Sequence, residues 1–257
     1  MADTEPMTST VLGPTLLVVC AVLALLAALV YRLADLGPWW VVPSASVRAA
    51  VQLAAVAVVL TAAMARLWSS LLILLVMFSV AAATAARRSR AARGSWWLAA
   101  PIALGLASVL PLLLVTDLVP LTGVALVPIT GILLGGTMTA VSLAARRALD
   151  ALGTGVGEVE AALSLGFLER EARLLVIRES APDALLPSVD QARTAGLVTL
   201  PGAFVGVLLS TGSAAQAGAV QVLVLVGLLL AQSCAVAVTI ELVAHGRLVR
   251  PDPARRG

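Results

Sequence analysis

The chain has 257 residues, of which 60% are hydrophobic and only 12% are charged. A soluble domain of this length needs far less apolar sequence, so the composition argues against a globular enzyme and indicates helices that fill the hydrocarbon core of a membrane. All 17 basic residues are arginine and the net charge is +3, but the arginines cluster in the gaps between apolar runs, which argues against nucleic acid as a partner.

Apolar runs, taken in chain order, predict an all-α, polytopic membrane protein with about seven spans. The predicted spans are residues 11–30, 47–64, 68–86, 98–115, 119–144, 192–209 and 219–243. The fifth is long enough to tilt or to break near Pro128, and the sixth has Pro201 and Gly202 in its middle. We expect one transmembrane domain over residues 1–257, with a polar cytoplasmic segment at about 150–190.

The arginines also predict the orientation of the spans. Every arginine except Arg66 falls on one side if the N-terminus lies outside, and the cytoplasmic side of a membrane carries the excess of arginine. The C-terminus is then cytoplasmic, and the expected location is the bacterial inner (plasma) membrane, in contact with its lipids. No Asp, Glu, Lys or His lies near the centre of a predicted span, which weakens the case for a carrier driven by protons or sodium.

A charged, amphipathic segment lies in the longest gap between predicted spans. Glu158 and Glu160 fall in the first turn of a predicted helix, where the helix dipole favours carboxylates. Gly166 can end this helix and turn the chain. Spacings of three and four give the helix one apolar face, formed by Val159, Ala162, Leu163 and Phe167. The pattern fits equally a helix on the inner membrane surface and a helix that docks onto a partner protein.

Small residues and one proline mark two of the predicted spans. Gly131 and Gly135 are four residues apart, as are Gly202 and Gly206, and small residues at this spacing let membrane helices approach closely. Pro201 lacks a backbone donor and can break or kink the sixth span. Helix packing is the simpler interpretation of each glycine pair, and a translocation path or a seam between subunits is the alternative.

The order of residues in the polar segment resembles that of a known family. Glu160, Ala161 and Ala162, followed by Gly166, resemble the Glu-Ala-Ala…Gly loop of ABC transporter permeases. Three further stretches, residues 48–53, 131–143 and 195–202, extend the resemblance over most of the chain. It is similar to the seven-span permease family that includes bacterial iron exporters of the Fet type and plant aluminium-tolerance permeases.

The resemblance implies a permease subunit, with no catalytic residue and no metal or cofactor bound by this chain. ATP and Mg would be held by a partner, an ABC ATP-binding subunit, and the permease would form a homodimer. A coupling helix would contact that partner through Glu160, Ala161, Ala162 and Gly166. The candidate residues for a translocation path or helix seam are Gln52, Gly131, Gly135, Thr137, Met138, Thr139, Pro201 and Gly202. The chain has no lysine, which excludes a P-loop ATPase with its Gly-rich loop and lysine.

The chain departs from the family pattern at Gly136, Ala203, Phe204 and Val207, where an asparagine, two methionines and a glutamine are expected. The permease role does not depend on these positions, whereas the metal-ion substrate does. Export of metal ions, iron-like in chemistry, is what the resemblance implies. An ABC permease for a lipid or a sugar nucleotide, a secondary carrier, and a membrane scaffold without an ATPase stay open as alternatives.

Overall fold

The computed structural model describes residues 14–63, 67–116 and 118–250, which are helical and contain no β-strand. The α-helices in this part of the chain are α1 (Pro14–Leu33), α2 (Val41–Ala63), α3 (Leu67–Arg88), α4 (Ala99–Val115), α5 (Gly123–Thr154), α6 (Val156–Ser164), α7 (Glu169–Ser180), α8 (Leu186–Thr194), α9 (Gly202–Thr211) and α10 (Ala214–Ala244). Two short 3-10 helices, Ser95–Leu98 and Ala181–Leu185, precede α4 and α8.

Within the described residues, five helices are long and apolar enough to cross a membrane, as the all-α membrane fold requires. They cover Thr15–Leu33, Trp68–Arg88, Ser95–Val115, Ala125–Thr154 and Ala214–Ala244. These confirm predicted spans one, three, four, five and seven, although residues 11–13 of the first span lie outside the described part of the chain. Their outer faces expose large apolar side chains such as Leu17 and Leu72, which lipid tails cover in a bilayer.

The two remaining predicted spans correspond to α2 and to the region of α8 and α9. The second lies within α2, a helix of 23 residues, and its predicted last residue, Met64, lies outside the described residues. The sixth predicted span, residues 192–209, is not one continuous helix. α8 ends at Thr194 and α9 has only 10 residues, which corresponds to about 15 Å, or roughly half of the hydrocarbon thickness.

The break in the sixth span occupies residues 195–201. Gly196 adopts a left-handed conformation with φ +84°, and its N–H donates to the carbonyl of Thr199 at 2.9 Å. Pro201 has no N–H to donate and disfavours helix at the preceding residue, so α9 begins at Gly202, directly after it. The break predicted at Pro201 is therefore present, and it is wider than a kink.

The fifth span, expected to be either tilted or broken near Pro128, is not broken there. α5 runs without interruption from Gly123 to Thr154. Pro128 is the sixth residue of α5, and its missing N–H removes one backbone hydrogen bond in the second turn without ending the helix. The helix also continues beyond the predicted end at Ala144 through a charged stretch that hydropathy alone does not mark as helical.

Two compact units divide the chain, one formed by α1 and α2 and the other by α3–α10. In the second unit α5 packs against α3, α4 and α10, and α4 packs against α10. Its core is apolar and includes the fully buried side chains of Ile102, Leu133, Val141 and Val243. α7 and the 3-10 helix Ala181–Leu185 pack against both α5 and α10, which positions the short helix α6 that lies between α5 and α7.

Candidate functional site

The Glu-Ala-Ala motif lies on α6, and residues 158–166 are referred to below as the EAA segment. Gly166 has φ +91°, a conformation that side chains other than glycine rarely adopt. Its N–H donates to the carbonyl of Leu163 at 3.0 Å, and the N–H of Phe167 donates to the carbonyl of Ala162 at 3.2 Å. These two bonds form a Schellman cap, so the helix end predicted at Gly166 is present and depends on glycine.

The apolar face predicted for this helix is only partly covered. Ala162 is buried and Val159 half-buried, consistent with the packing of α6 on α7. Leu163 and Phe167 remain 40% and 43% exposed, and Leu165 is 80% exposed. The EAA segment therefore has an anchored side and an open apolar side flanked by exposed glutamates, as expected of a surface that another molecule covers.

A glycine sets how closely the EAA segment approaches α7. Gly155 precedes α6, and a Cβ atom added there would lie 2.7 Å from Cγ1 of Val176 on α7. At Gly157, two residues later, no atom lies within 4 Å of the same position. Close packing against α7 requires glycine at position 155, whereas position 157 has space for a larger residue.

Arg170 joins α7 to the end of α10. Its Nε and Nη2 donate to the two carboxylate oxygens of Glu241 at 2.8 and 2.7 Å, the paired geometry that makes arginine–carboxylate contacts specific. The hydrogen bond to Glu241 raises the pKa of Arg170, so the guanidinium stays charged. Arg173, one turn along, donates to the carbonyl of Ala244 at 3.3 Å.

A second set of contacts joins the same region to α5. Arg147 on α5 forms an ion pair with Asp183 at 2.8 Å and donates to the carbonyl of Ser180 at 3.4 Å. Arg250, beyond α10, pairs with Asp150 on α5. The polar segment after α5 is thus held to the ends of two membrane helices by arginines on α5 and α7, and Arg250 joins the residues after α10 to α5.

The residues of these ion pairs are not among the site residues predicted from sequence. Arg170 and Glu241 are 71 residues apart, so no local spacing indicates their contact. The available signal was the combination of arginines in the polar gap with one glutamate, Glu241, at the end of the last span.

The predicted path residues on α5 do not form one site. Thr137 is fully buried, whereas Thr139 is exposed and donates to the carbonyl of its own helix at Gly135, 2.9 Å away. Met138 is half-buried against the core. Gly131 faces Met77 of α3, with 3.0 Å between the Cβ position and Cε, while Gly135 has no such neighbour within 4 Å.

The other predicted path residues lie on α2 and α9. Gln52 is exposed on α2 and, with Arg48, Trp39 and Trp40, lines an open groove of about 660 Å³. Pro201 caps the start of α9, and Gly202 has no atom within 4 Å of its Cβ position. The roles of these residues in transport stay predictions.

Close helix approach occurs at glycines that sequence reasoning did not select. A Cβ atom at Gly105 on α4 would lie 2.6 Å from the carbonyl oxygen of Ala231 on α10. One at Gly136 on α5 would lie 2.5 Å from Cδ1 of Leu228 and 2.8 Å from Nε2 of Gln232. The asparagine expected at position 136 would require the side chains of Leu228 and Gln232 to move.

No group of three or more His, Cys, Asp or Glu side chains that could hold a metal ion occurs in residues 14–63, 67–116 and 118–250. Gln232, which sequence reasoning also missed, is buried on α10 beside Gly136. The buried polar side chains among the described residues are neutral amides and hydroxyls.

The sequence profile of the family described as Uncharacterised protein family (UPF0014) matches residues 14–247. UPF0014 membrane protein STAR2 of Oryza sativa subsp. japonica is 32% identical over 133 residues, which are 52% of this chain and 47% of that protein. Protein ALUMINUM SENSITIVE 3 of Arabidopsis thaliana is 30% identical over 133 residues, 52% of this chain and 49% of that protein.

A bacterial relative matches a shorter part of the chain. Probable iron export permease protein FetB of Escherichia coli (strain K12) is 36% identical over 74 residues, 29% of each chain. The matched part of this chain spans about half the length of the two plant relatives. No solved structure matches the chain.

Proposed function

The chain belongs to the UPF0014 family of membrane proteins, and on that premise we propose that it is the permease subunit of an ABC transporter that exports metal ions. ATP hydrolysis takes place on a separate ATP-binding subunit, which also holds the ATP and Mg. Two copies of the permease assemble with two copies of that subunit.

The observation that carries this proposal is the attachment of the EAA segment. Its apolar side is open for a partner, with Leu165 80% exposed. Its other side packs on α7, which Arg170 joins to Glu241 of α10. A partner that displaces the segment therefore also moves the membrane helices. A helix that only rests on lipid would not need these contacts to α7 and α10.

The proposed sequence of events starts at the partner subunit. ATP closes the partner dimer, and the EAA segment moves with it. α7 and its ion pairs pass the motion to α10, and Arg147 passes it to α5 through Asp183. These two helices then change their packing, which switches access to the path for the substrate. This order requires the EAA segment to face the cytoplasm, with the N-terminus outside, as the distribution of arginine favours.

The metal-ion substrate is supported by the name of one relative, a probable iron export permease from Escherichia coli. The plant relative named ALUMINUM SENSITIVE 3 is consistent with metal chemistry. A lipid or sugar-nucleotide substrate is the second candidate.

The test is co-purification with the ATP-binding subunit from the same genome, followed by ATPase and transport assays in lipid vesicles with and without Fe²⁺. We expect a stable complex whose metal-stimulated activity falls when Glu160 or Gly166 is replaced by alanine. Glu179→Gln, an exposed change on α7, is the matched control for charge. Failure of any ATP-binding subunit to associate in mild detergent would refute the permease assignment and favour a carrier or a scaffold.

A further inference from the structure

Exposed arginines gather at one end of the second compact unit. Some lie in the last turn of α3 and in the loop that follows it, and another lies in the residues after α10. They are referred to below as the basic patch and are Arg87, Arg88, Arg90, Arg93 and Arg247. No carboxylate among the described residues forms an ion pair with any of them. The basic patch therefore lacks a counter-charge in the described part of the chain.

The residues after α10 bring Arg247 to the α3–α4 loop. Arg93 and Val249 form an antiparallel bridge, in which the N–H of Val249 donates to the carbonyl of Arg93 at 3.3 Å. Leu248 is only 2% exposed. Gly94 has φ +77°, and a Cβ atom there would overlap the carbonyl oxygen of Arg247. Backbone contacts thus fix Arg247 beside a loop that is far from it in sequence.

Two tryptophans lie beside the basic patch. The guanidinium carbon of Arg247 lies 5.1 Å from the ring centre of Trp97, and the ring of Trp97 stacks on that of Trp96 with 4.1 Å between centroids. Stacking covers one face of a guanidinium and leaves its N–H groups, which lie in its plane, free to donate. Trp96 is 67% exposed, and tryptophan favours the layer between hydrocarbon and water.

The neighbouring spans place the basic patch at the membrane surface. One span covers Trp68–Arg88 and the next begins at Ser95, so only residues 89–94 connect them. Because both spans end at the same surface, so short a connection stays close to it. The headgroup layer, which contains the lipid phosphates, lies at this level.

Arg90 has a backbone conformation that does not favour arginine. Its φ is +57°, which brings the Cβ atom of an L-residue too close to its own backbone. The turn is fixed by Ser89, whose Oγ donates to the carbonyl of Ala86 at 2.8 Å and accepts from the N–H of Ala91 at 3.3 Å. Glycine would adopt this φ without strain. The turn alone therefore does not explain an arginine here, and a role of its guanidinium does.

We propose that the basic patch binds the headgroup of an anionic phospholipid in the leaflet that the α3–α4 loop faces. Guanidinium groups donate paired N–H groups to phosphate oxygens, and Trp96 and Trp97 lie beside them at the depth of the glycerol backbone. A loop that only orients its spans needs positive charge. It needs neither an arginine brought by the residues after α10 nor one in a strained turn. The proposal depends on neither the transported substrate nor the ATP-binding subunit.

The first test counts the lipids that stay bound to the purified full chain. The protein is mixed in mild detergent with equal amounts of phosphatidylglycerol and phosphatidylcholine and examined by mass spectrometry of the intact complex. We expect phosphatidylglycerol to be preferred at least about fivefold, which one arginine near an anionic surface can supply. Arg90→Gln with Arg93→Gln and Arg247→Gln should abolish the preference.

The matched control removes the same charge from exposed arginines on α5, α7 and α8. It combines Arg146→Gln, Arg178→Gln and Arg193→Gln and should keep the preference for phosphatidylglycerol. Equal binding of the two lipids by the wild type would overturn the proposal. So would a preference that survives in the basic-patch variant, or one that both triple variants lose to the same extent.

The second test separates binding from folding. Arg90→Gly should leave the melting temperature in lipid-free detergent equal or higher, because glycine relieves the strained φ, and should lower the lipid preference at least about twofold. A lower melting temperature with the preference kept would limit Arg90 to the turn and overturn its role in binding. Inorganic phosphate should not displace phosphatidylglycerol from the wild type. Displacement would identify a soluble anion as the ligand and overturn the lipid assignment.

Discussion

Replacement of Gly155 by alanine is the sharpest test of how the EAA segment is held. The new Cβ would lie 2.7 Å from Cγ1 of Val176, about 1 Å closer than two carbon atoms normally approach. Val176 is buried in α7, and valine has little rotamer freedom in a helix. The overlap is therefore relieved by moving α6 off α7 or by distorting α7, at a cost of about 1–3 kcal/mol.

The assay is the melting temperature of the purified protein, together with substrate transported per ATP in vesicles. We expect the melting temperature to fall by a few degrees, on the order of 2–4 °C for each kcal/mol, and coupling to weaken because the EAA segment is displaced. Gly157→Ala is the matched control, since no atom lies within 4 Å of its Cβ position, and alanine in a helix is favourable. Equal behaviour of the two variants would refute the packing argument.

Three further predictions concern the same framework. Gly166→Ala should lower transport per ATP at nearly unchanged expression, because φ +91° strains an L-residue with a side chain by about 1–2 kcal/mol; coupling at the wild-type level would contradict the role of this turn. Arg170→Glu should uncouple ATP hydrolysis from transport, and adding Glu241→Arg should restore coupling if the ion pair transmits the motion; no recovery in the double variant would count against it. Gly105→Ala should lower the melting temperature while Gly135→Ala does not, because only the first Cβ would meet a backbone oxygen, at 2.6 Å; equal thermal shifts would exclude close packing as the cause.

The parts of the fold that sequence predicts well depend on local chemistry. Long apolar runs mark the five long spans, because hydrocarbon accepts few other residues. Gly166 and Pro201 are correctly identified as ends or breaks, because glycine and proline act on the backbone at their own position.

The parts that sequence misses depend on what lies opposite a residue. The spacing of Gly131 and Gly135 shows that close approach is possible, but Gly135 has no neighbour within 4 Å of its Cβ position, whereas Gly105 and Gly136 face α10 at less than 3 Å. The hydropathy of the sequence predicts that the fifth span ends at Ala144. The helix continues through charged residues because tertiary contacts stabilise it, and hydropathy does not report such contacts. For Arg147 that contact is Asp183, and an ion pair at such separation leaves no local pattern.

The unbroken length of α5 has a mechanical consequence. Its 32 residues make a rod of about 48 Å, longer than the hydrocarbon core of about 30 Å. A tilt of about 10° around its Gly123 end moves Thr154 by about 8 Å and Thr137 by about 4 Å. A tilt of α5 therefore produces a smaller displacement at its middle than at its far end. Spin-label distances measured at Thr154 and at Thr137 should change in a ratio of roughly two to one, whatever force drives the tilt.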